Sequence, residues 1–230
     1  MSASSLLSVL PVLEVTVQGR KDLLMHNGEL ANGTNPIVQE IKKLTALRKK
    51  TDSQKEELAR WSLVGSAYFD EEVGFYIPTW NVEANLAKAG SRVRLKEVVK
   101  EAVNVLVEEP HGKDDRIKIV FPKGVPVPTD PAKMFRNPLF HDDRGVNIKK
   151  NKIQRDRAKI PTGWQITFQV EYDSDLLSES QVRELLKIAG RMGLGDYRPR
   201  FGQYTIISVD RLIDADPEAG QNGEEGESNE

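Results

Sequence analysis

The 230-residue sequence predicts a fold that mixes sheet with helix, and three observations point to it. Val12 to Val17 and Trp164 to Tyr172 alternate apolar with polar side chains, the period of a strand that buries one face. Ser178 to Ala189 instead gathers Val182, Leu185, Leu186 and Ala189 on one helical face, with Ser178 and Gln181 spaced as a capping box. Between that helix and a strand expected over Tyr204 to Val209 runs a single connection, Gly190 to Gln203, with four glycines, Arg198 and Arg200 around Pro199, and the aromatics Tyr197 and Phe201.

Composition narrows the class. A hydrophobic content of 38% is enough for a proper core, in one large domain or two small ones. The absence of cysteine excludes disulfides, thiolate metal sites and a cysteine nucleophile, and fits a reducing compartment. The first apolar run, Leu6 to Val17, is broken by Pro11 and Glu14 and lacks a basic leader. It reads as the entry strand rather than a signal peptide or membrane span, and the expected location is cytoplasmic. The net charge of −2 conceals an asymmetry: Asp214 to Glu230 holds seven acids and no base, and removing those seven turns −2 into +5. The expected division is therefore a single domain with insertions over 1–213 and a disordered acidic tail over 214–230, since the tail is rich in Gly, Asn and Ser. Such a tail either competes with nucleic acid and meets partner proteins or simply aids solubility.

After the first strand, Arg20 to Asn35 reads as a polar loop around Leu23, Leu24, Met25 and His26. Pro36 starts a helix with Ile37, Ile41 and Leu44 on its apolar face and a solvated basic outer face. A second helix is expected from a Ser53/Glu56 capping box, with Leu58, Trp61 and Gly65 inward. Asp70 to Gly74 marks a turn, Asn81 to Ala89 a short helix, and Leu95 to Val107 a helix passing into a strand. The basic residues Arg92 and Arg94 lie between those two segments. Ile117 to Phe121 reads as a strand, and the five prolines from Pro122 to Pro138 keep the next segment irregular.

Arg144 to Lys159 carries the densest charge, with seven bases against Asp156 alone. If Ile153 to Lys159 is extended, Arg155, Arg157 and Lys159 share one face. A hairpin with Trp164 to Tyr172 around Pro161-Thr-Gly163 would lay a basic rib, with Lys149, Lys150 and Lys152 before it, on a sheet. Such a rib suits phosphates, or protects an exposed edge from aggregation.

The glycine connection suits a backbone polyanion, because glycine permits close approach and arginine presents a forked donor; the alternative is that the glycines only shape a tight connection. Its position after a helix and before a strand excludes a dinucleotide fingerprint, and no phosphate-binding G-x-x-x-x-G-K-[ST] occurs. Three histidines, His26, His111 and His141, stand at no metal-ligand spacing, although His141-Asp142-Asp143 offers donors. No metal or other cofactor is expected, and no nucleophile elbow is present.

Leu23 to Asn27, Tyr76-Ile-Pro, Trp164 to Asp173 and Gly193 to Gly202 together resemble a family of tailed-phage proteins, over nearly the whole chain except its acidic end. The same layout is similar, more distantly, to the repeat-associated (RAMP) superfamily of CRISPR proteins, especially its RNA-coating backbone subunit. The resemblance implies an α+β fold: a ferredoxin-like, RRM-like antiparallel sheet with helices on one face, a peripheral helical insertion, and a groove for single-stranded nucleic acid across the other face. By position, Arg198 and Arg200 would clamp backbone, Lys149 to Lys159 would track phosphates, Tyr197 or Phe201 would stack on bases, and His26 would reach the ligand. The implied function is non-catalytic binding of single-stranded nucleic acid, DNA before RNA, in phage replication or recombination. Proteins of those processes would meet the acidic tail, and copies could line up along a strand. The alternatives are a RAMP-type endoribonuclease using His26 or His141 as general base, and an interaction protein antagonising a host system.

Overall fold

The computed structural model describes residues 10–148 and 151–213. In chain order the elements are β1 (Val12–Gly19), β2 (Leu23–Leu24), α1 (Pro36–Ala46), α2 (Asp52–Ser66), β3 (Phe69–Asp70), β4 (Gly74–Pro78), α3 (Thr79–Gly90), α4 (Lys96–Ala102) and β5 (Val103–Leu106). They continue with β6 (Gly112–Lys113), β7 (Arg116–Lys118), β8 (His141–Asp142), β9 (Gly145–Ile148), β10 (Asn151–Gln154), β11 (Arg157–Ile160), β12 (Gln165–Tyr172), α5 (Glu179–Met192) and β13 (Tyr204–Ile213).

The central sheet has the order β13-β1-β12-β5, with every neighbouring pair antiparallel. In chain order of its own four strands this is 4-1-3-2, with α3 and α4 between the first and second strands and α5 between the third and fourth. That is the ferredoxin-like arrangement expected of an RRM-like chain. Alternation dictates which face is dry: Leu13, Val15 and Val17 on β1 and Ile166, Phe168 and Val170 on β12 are all buried. They pack with Val82, Leu86 and Ala89 of α3 and Val182, Leu185, Leu186 and Ala189 of α5 in one core. A polar joint ties the helices to the edge strand. Tyr204 Oη donates to Asn85 Oδ1 (3.0 Å), and Asn85 Nδ2 donates to the Gly193 carbonyl (3.1 Å).

The opposite face differs from the expected groove. It presents Glu14, Thr16 and Gln18 from β1, Gln165, Thr167, Gln169 and Glu171 from β12, Asn104 from β5, and Ser208 and Asp210 from β13. These residues carry no aromatic platform and no cation, so single strands have neither stacking surface nor counter-charge there.

The peripheral insertion is α1 and α2, with β2 before them. Pro36 occupies the first turn of α1 under an Asn35 cap, and the buried side chains are Val38 and Leu44, with Ile37 and Ile41 only half-covered. The cap of α2 is not the Ser53/Glu56 pair but Thr51 with Gln54, whose side chain accepts from the Thr51 N–H at 3.0 Å. The helix thus starts two residues earlier, with Asp52 in its first turn, where the macrodipole favours a carboxylate. The Pro122 to Pro138 segment holds one short 3-10 turn at Pro131–Met134. The expected 117–121 strand is shorter, Arg116–Lys118, with Val120 bridging to Gln165.

The hairpin expected around Pro161-Thr-Gly163 does not form. β12 pairs with β1 and β5, whereas β11 belongs to a separate sheet, β2-β11-β8, and β10 pairs with β9. Trp164 explains the break: it is fully buried against Gly19, and its Nε1 donates to the Lys21 carbonyl at 2.9 Å, which sends the chain into the central sheet rather than back along β11. Among the described residues no helix is long and apolar enough to cross a membrane.

Candidate nucleic-acid interface

The site is built where the glycine connection meets β2. Asp196 N–H donates to the Leu24 carbonyl (2.9 Å) and Gly202 N–H to the Asp22 carbonyl (2.8 Å). Gly195 allows this contact: its φ is +71°, and a Cβ there would stand 2.3 Å from the Leu24 carbonyl oxygen. Leu194 N–H closes the loop on the Gly202 carbonyl at 2.9 Å. The loop is therefore a rigid clasp on β2. Arg198 and Arg200 stand exposed on its outer side, and Tyr197 is 42% exposed.

β2 leads directly to His26. Asn27 holds the turn, with its N–H on the Ser66 carbonyl (3.0 Å) and its amide nitrogen on the Ala67 carbonyl (3.1 Å). Tyr68 Oη donates to the His26 carbonyl at 3.2 Å. Ser66 Oγ accepts the Ala158 N–H at 2.8 Å, pinning the end of α2 to β11. The result is an open cleft of about 1310 Å³ between α1, α2, the His26 turn and the segment around β8 and β11. His26, Arg155 and Arg157 line one part of it, and Arg136, His141 and Asp156 also contribute.

The structure brings together His26, Arg155 and Arg157 but separates others. Arg157 is 4% exposed and its Nε lies 3.1 Å from Asp196 Oδ2, so it anchors the glycine clasp instead of tracking phosphates. Its Nε and Nη1 make no well-aligned hydrogen bond among the described residues, leaving a cation beneath the cleft floor. Lys159 is spent on the Pro138 carbonyl (2.8 Å). Phe201 is buried, and the Arg144 guanidinium lies 4.4 Å from its ring centroid and 5.5 Å from that of Tyr197. Phe201 thus has no face for a base, while Tyr197 keeps part of its ring in solvent. Arg92 and Arg94 sit exposed between α3 and α4, outside the lining of the cleft. Lys152 is on β10, and Lys149 and Lys150 lie outside the described residues, as does the 214–230 tail.

Two residues that sequence reading did not assign to the site complete it. Arg144 joins β8 to the loop, its Nε donating to Asp142 Oδ1 at 2.7 Å while its plane stacks on the loop aromatics. Its place in the basic run was the only sign in the sequence. Arg136 offers its backbone N–H to His141 Nδ1 at 3.2 Å, a contact between residues of the proline-rich segment that periodicity does not show.

The two cleft histidines differ. His141 has both ring nitrogens engaged, Nδ1 by that N–H and Nε2 by Asp156 Oδ1 at 2.9 Å. This geometry carries the proton on Nε2 and leaves no free lone pair for a general base. Burial raises the Asp156 carboxyl above its ordinary range, against the opposing pull of His141. His26 is pushed below the ordinary imidazole value first by partial burial and then by Arg155 and Arg157, with Asp196 opposing. Among the described residues no group of three or more His, Asp or Glu is placed to hold a metal ion.

No protein-family model and no curated protein matches the chain. It is similar to a solved chain from "Cryo-EM structure of the Type III-B Cmr-beta bound to cognate target RNA", with 13% identity and a TM-score of 0.48. The likeness covers 88% of this chain and 60% of that one, so this chain spans less than two thirds of its neighbour's length. At that TM-score it carries no argument about site or ligand.

Proposed function

We propose that this protein binds single-stranded nucleic acid without cleaving it, through the lip shared by the glycine clasp and the His26 end of the cleft. The observation that supports this most is the ion pair of Arg157 with Asp196, 3.1 Å apart, which ties the loop carrying the exposed Tyr197, Arg198 and Arg200 to the segment carrying the cleft-lining Arg155. Exposed arginines take phosphates and an exposed tyrosine stacks on a base, so affinity rests on backbone charge with little sequence preference. The acidic open face of the sheet takes no part. The preference for DNA, the phage origin, the part in replication or recombination, the replication and recombination proteins as tail partners and assembly along a strand extend this reading from the sequence resemblance.

The test is fluorescence anisotropy of the full chain with labelled single-stranded DNA, single-stranded RNA and duplex DNA across a salt series. Replacing Arg155, Arg198 and Arg200 by alanine should reduce the slope of log K against log salt by about 2, at ~0.7 for each single-strand phosphate contact. An unchanged slope, or no binding to any of the three, overturns the assignment. The DNA and RNA arms decide between the two strands.

One observation favours a second reading. A neutral imidazole flanked by arginines is suited to abstract a ribose hydroxyl proton, and His26 has that setting. Cleavage of labelled RNA in chelator that vanishes in His26→Ala would replace the non-catalytic reading; intact RNA sustains it.

A further inference from the structure

A second groove, of about 520 Å³, lies between α5 and β13 at the edge of the central sheet. The exposed side chains of Arg20, Lys187 and Arg191 line it with the half-buried Arg183, and among the described residues no carboxylate does. Glu179 neutralises Arg183, and Glu184 lies 4.0 Å from Lys187, but Arg20 and Arg191 have no ion pair among the described residues. The wall is thus cationic. The floor is apolar, with Leu186 buried and Ile207 55% exposed.

Gln203 joins this groove to the glycine clasp. Its carbonyl accepts the Arg20 N–H at 2.7 Å, and its Nε2 donates to the Arg191 carbonyl at 2.8 Å. From there the loop runs beside the segment that enters the cleft: Gly202 N–H is on the Asp22 carbonyl, Asp196 N–H is on the Leu24 carbonyl, and Asp196 then meets Arg157. One line of bonds therefore leads from Arg20 at the groove to His26 at the cleft, with Arg198 and Arg200 on the loop between. Its six residue steps reach up to about 20 Å, roughly six phosphates at about 3.4 Å each along a stacked strand. Lys187 to Arg191 adds about 6 Å along α5. Asp22 is the acid on this line, and its carboxylate is occupied by the Thr162 N–H (2.8 Å) and Oγ1 (2.7 Å).

We infer that a single strand held at the clasp continues into this groove, with phosphates on Arg20, Lys187 and Arg191 and a base against Ile207. The inference rests on the proposed single-strand binding at the clasp. The edge of β13 is closed to a pairing peptide, because Arg183 Nη2 donates to the Val209 carbonyl at 3.3 Å and a register shift at Ile207 breaks the ladder. A second copy paired there would set the two basic stripes of α5 against each other. A polyanion needs neither a ladder nor a self-complementary surface.

The test is fluorescence anisotropy of the full chain with labelled oligothymidylate and oligouridylate of about 5 and about 15 nucleotides across a salt series, lengths chosen to fall short of the line and to exceed it. Replacing Arg20, Lys187 and Arg191 by alanine should lower the slope of log K against log salt by about 2 on the longer strand and erase the parent's gain in slope from the shorter to the longer. Arg20→Lys with Arg191→Lys should keep that gain, since charge suffices. An unchanged slope on the longer strand, with the Arg155, Arg198 and Arg200 replacement still lowering it, overturns the inference and leaves the clasp reading standing. A loss from the groove replacement alone, or no binding at all, overturns the clasp reading and the continuous path with it. A labelled polyglutamate peptide that the parent binds and the groove variant releases, while the slope on the longer strand does not change, assigns the groove to an acidic peptide and overturns the inference.

Discussion

Asp196 is the counter-charge of a guanidinium almost wholly out of water, so its removal strands the Arg157 cation in the interior. Asp196→Ala should cost about 3 kcal/mol in urea unfolding, because an uncompensated buried charge is far more costly than a lost surface pair. Tyr204→Phe leaves Asn85 Oδ1 without its donor and should cost about 1–3 kcal/mol by the same measurement. His26 titrates in the other direction from a stabilised ion. The unfolded chain takes up its proton near 6.5 and the folded chain only at lower pH, so stability falls as pH drops below 6.5 through the folded value. An NMR titration should place the His26 midpoint below 6.5, and Arg155→Gln should raise it. At this scale the sequence told residue types but not burial. Arg155 and Arg157 look alike in a basic run, and only the arrival of Asp196 from 39 positions later separates a ligand-facing arginine from an anchoring one.

The elements with local signals were legible. The Ser178/Gln181 capping box is present, with the Ser178 N–H on Gln181 Oε1 at 2.8 Å, and α4 passes into β5 within the stretch read as helix then strand. Local signals failed where partners are distant. A basic extended segment beside an alternating strand reads as a hairpin, yet β11 pairs with Leu23 and Leu24, residues more than 130 positions earlier. The glycine clasp depends on the same long-range contact. Gly195→Ala meets both a positive φ and the Leu24 carbonyl, and should destabilise the protein by more than about 1 kcal/mol. Circular dichroism melts would show the loss, and anisotropy would show weaker nucleic-acid binding than in the parent chain.

The whole molecule divides its surfaces by charge rather than by the usual role of an RRM-like sheet. The helices occupy one face of the sheet and acids, amides and threonines the other, while Arg155, Arg198 and Arg200 lie away from that open face at the cleft and the clasp. Gln169→Ala with Glu171→Ala on the open face should leave nucleic-acid affinity within about two-fold at fixed salt, against a marked loss for the clasp arginines. A larger drop would return the interface to the sheet. The class of fold could be read from periodicity and resemblance, but not which face faces a ligand, since alternation shows that a face is polar without showing what it excludes. The pairing of Val12 with Ile213 has another consequence. The beginning and end of the ordered ladder stand side by side, so a circular permutant that fuses them through a short linker and opens near Gly124 would retain every strand pairing. Such a chain would show whether the order of synthesis matters to a sheet whose neighbours are so far apart in sequence.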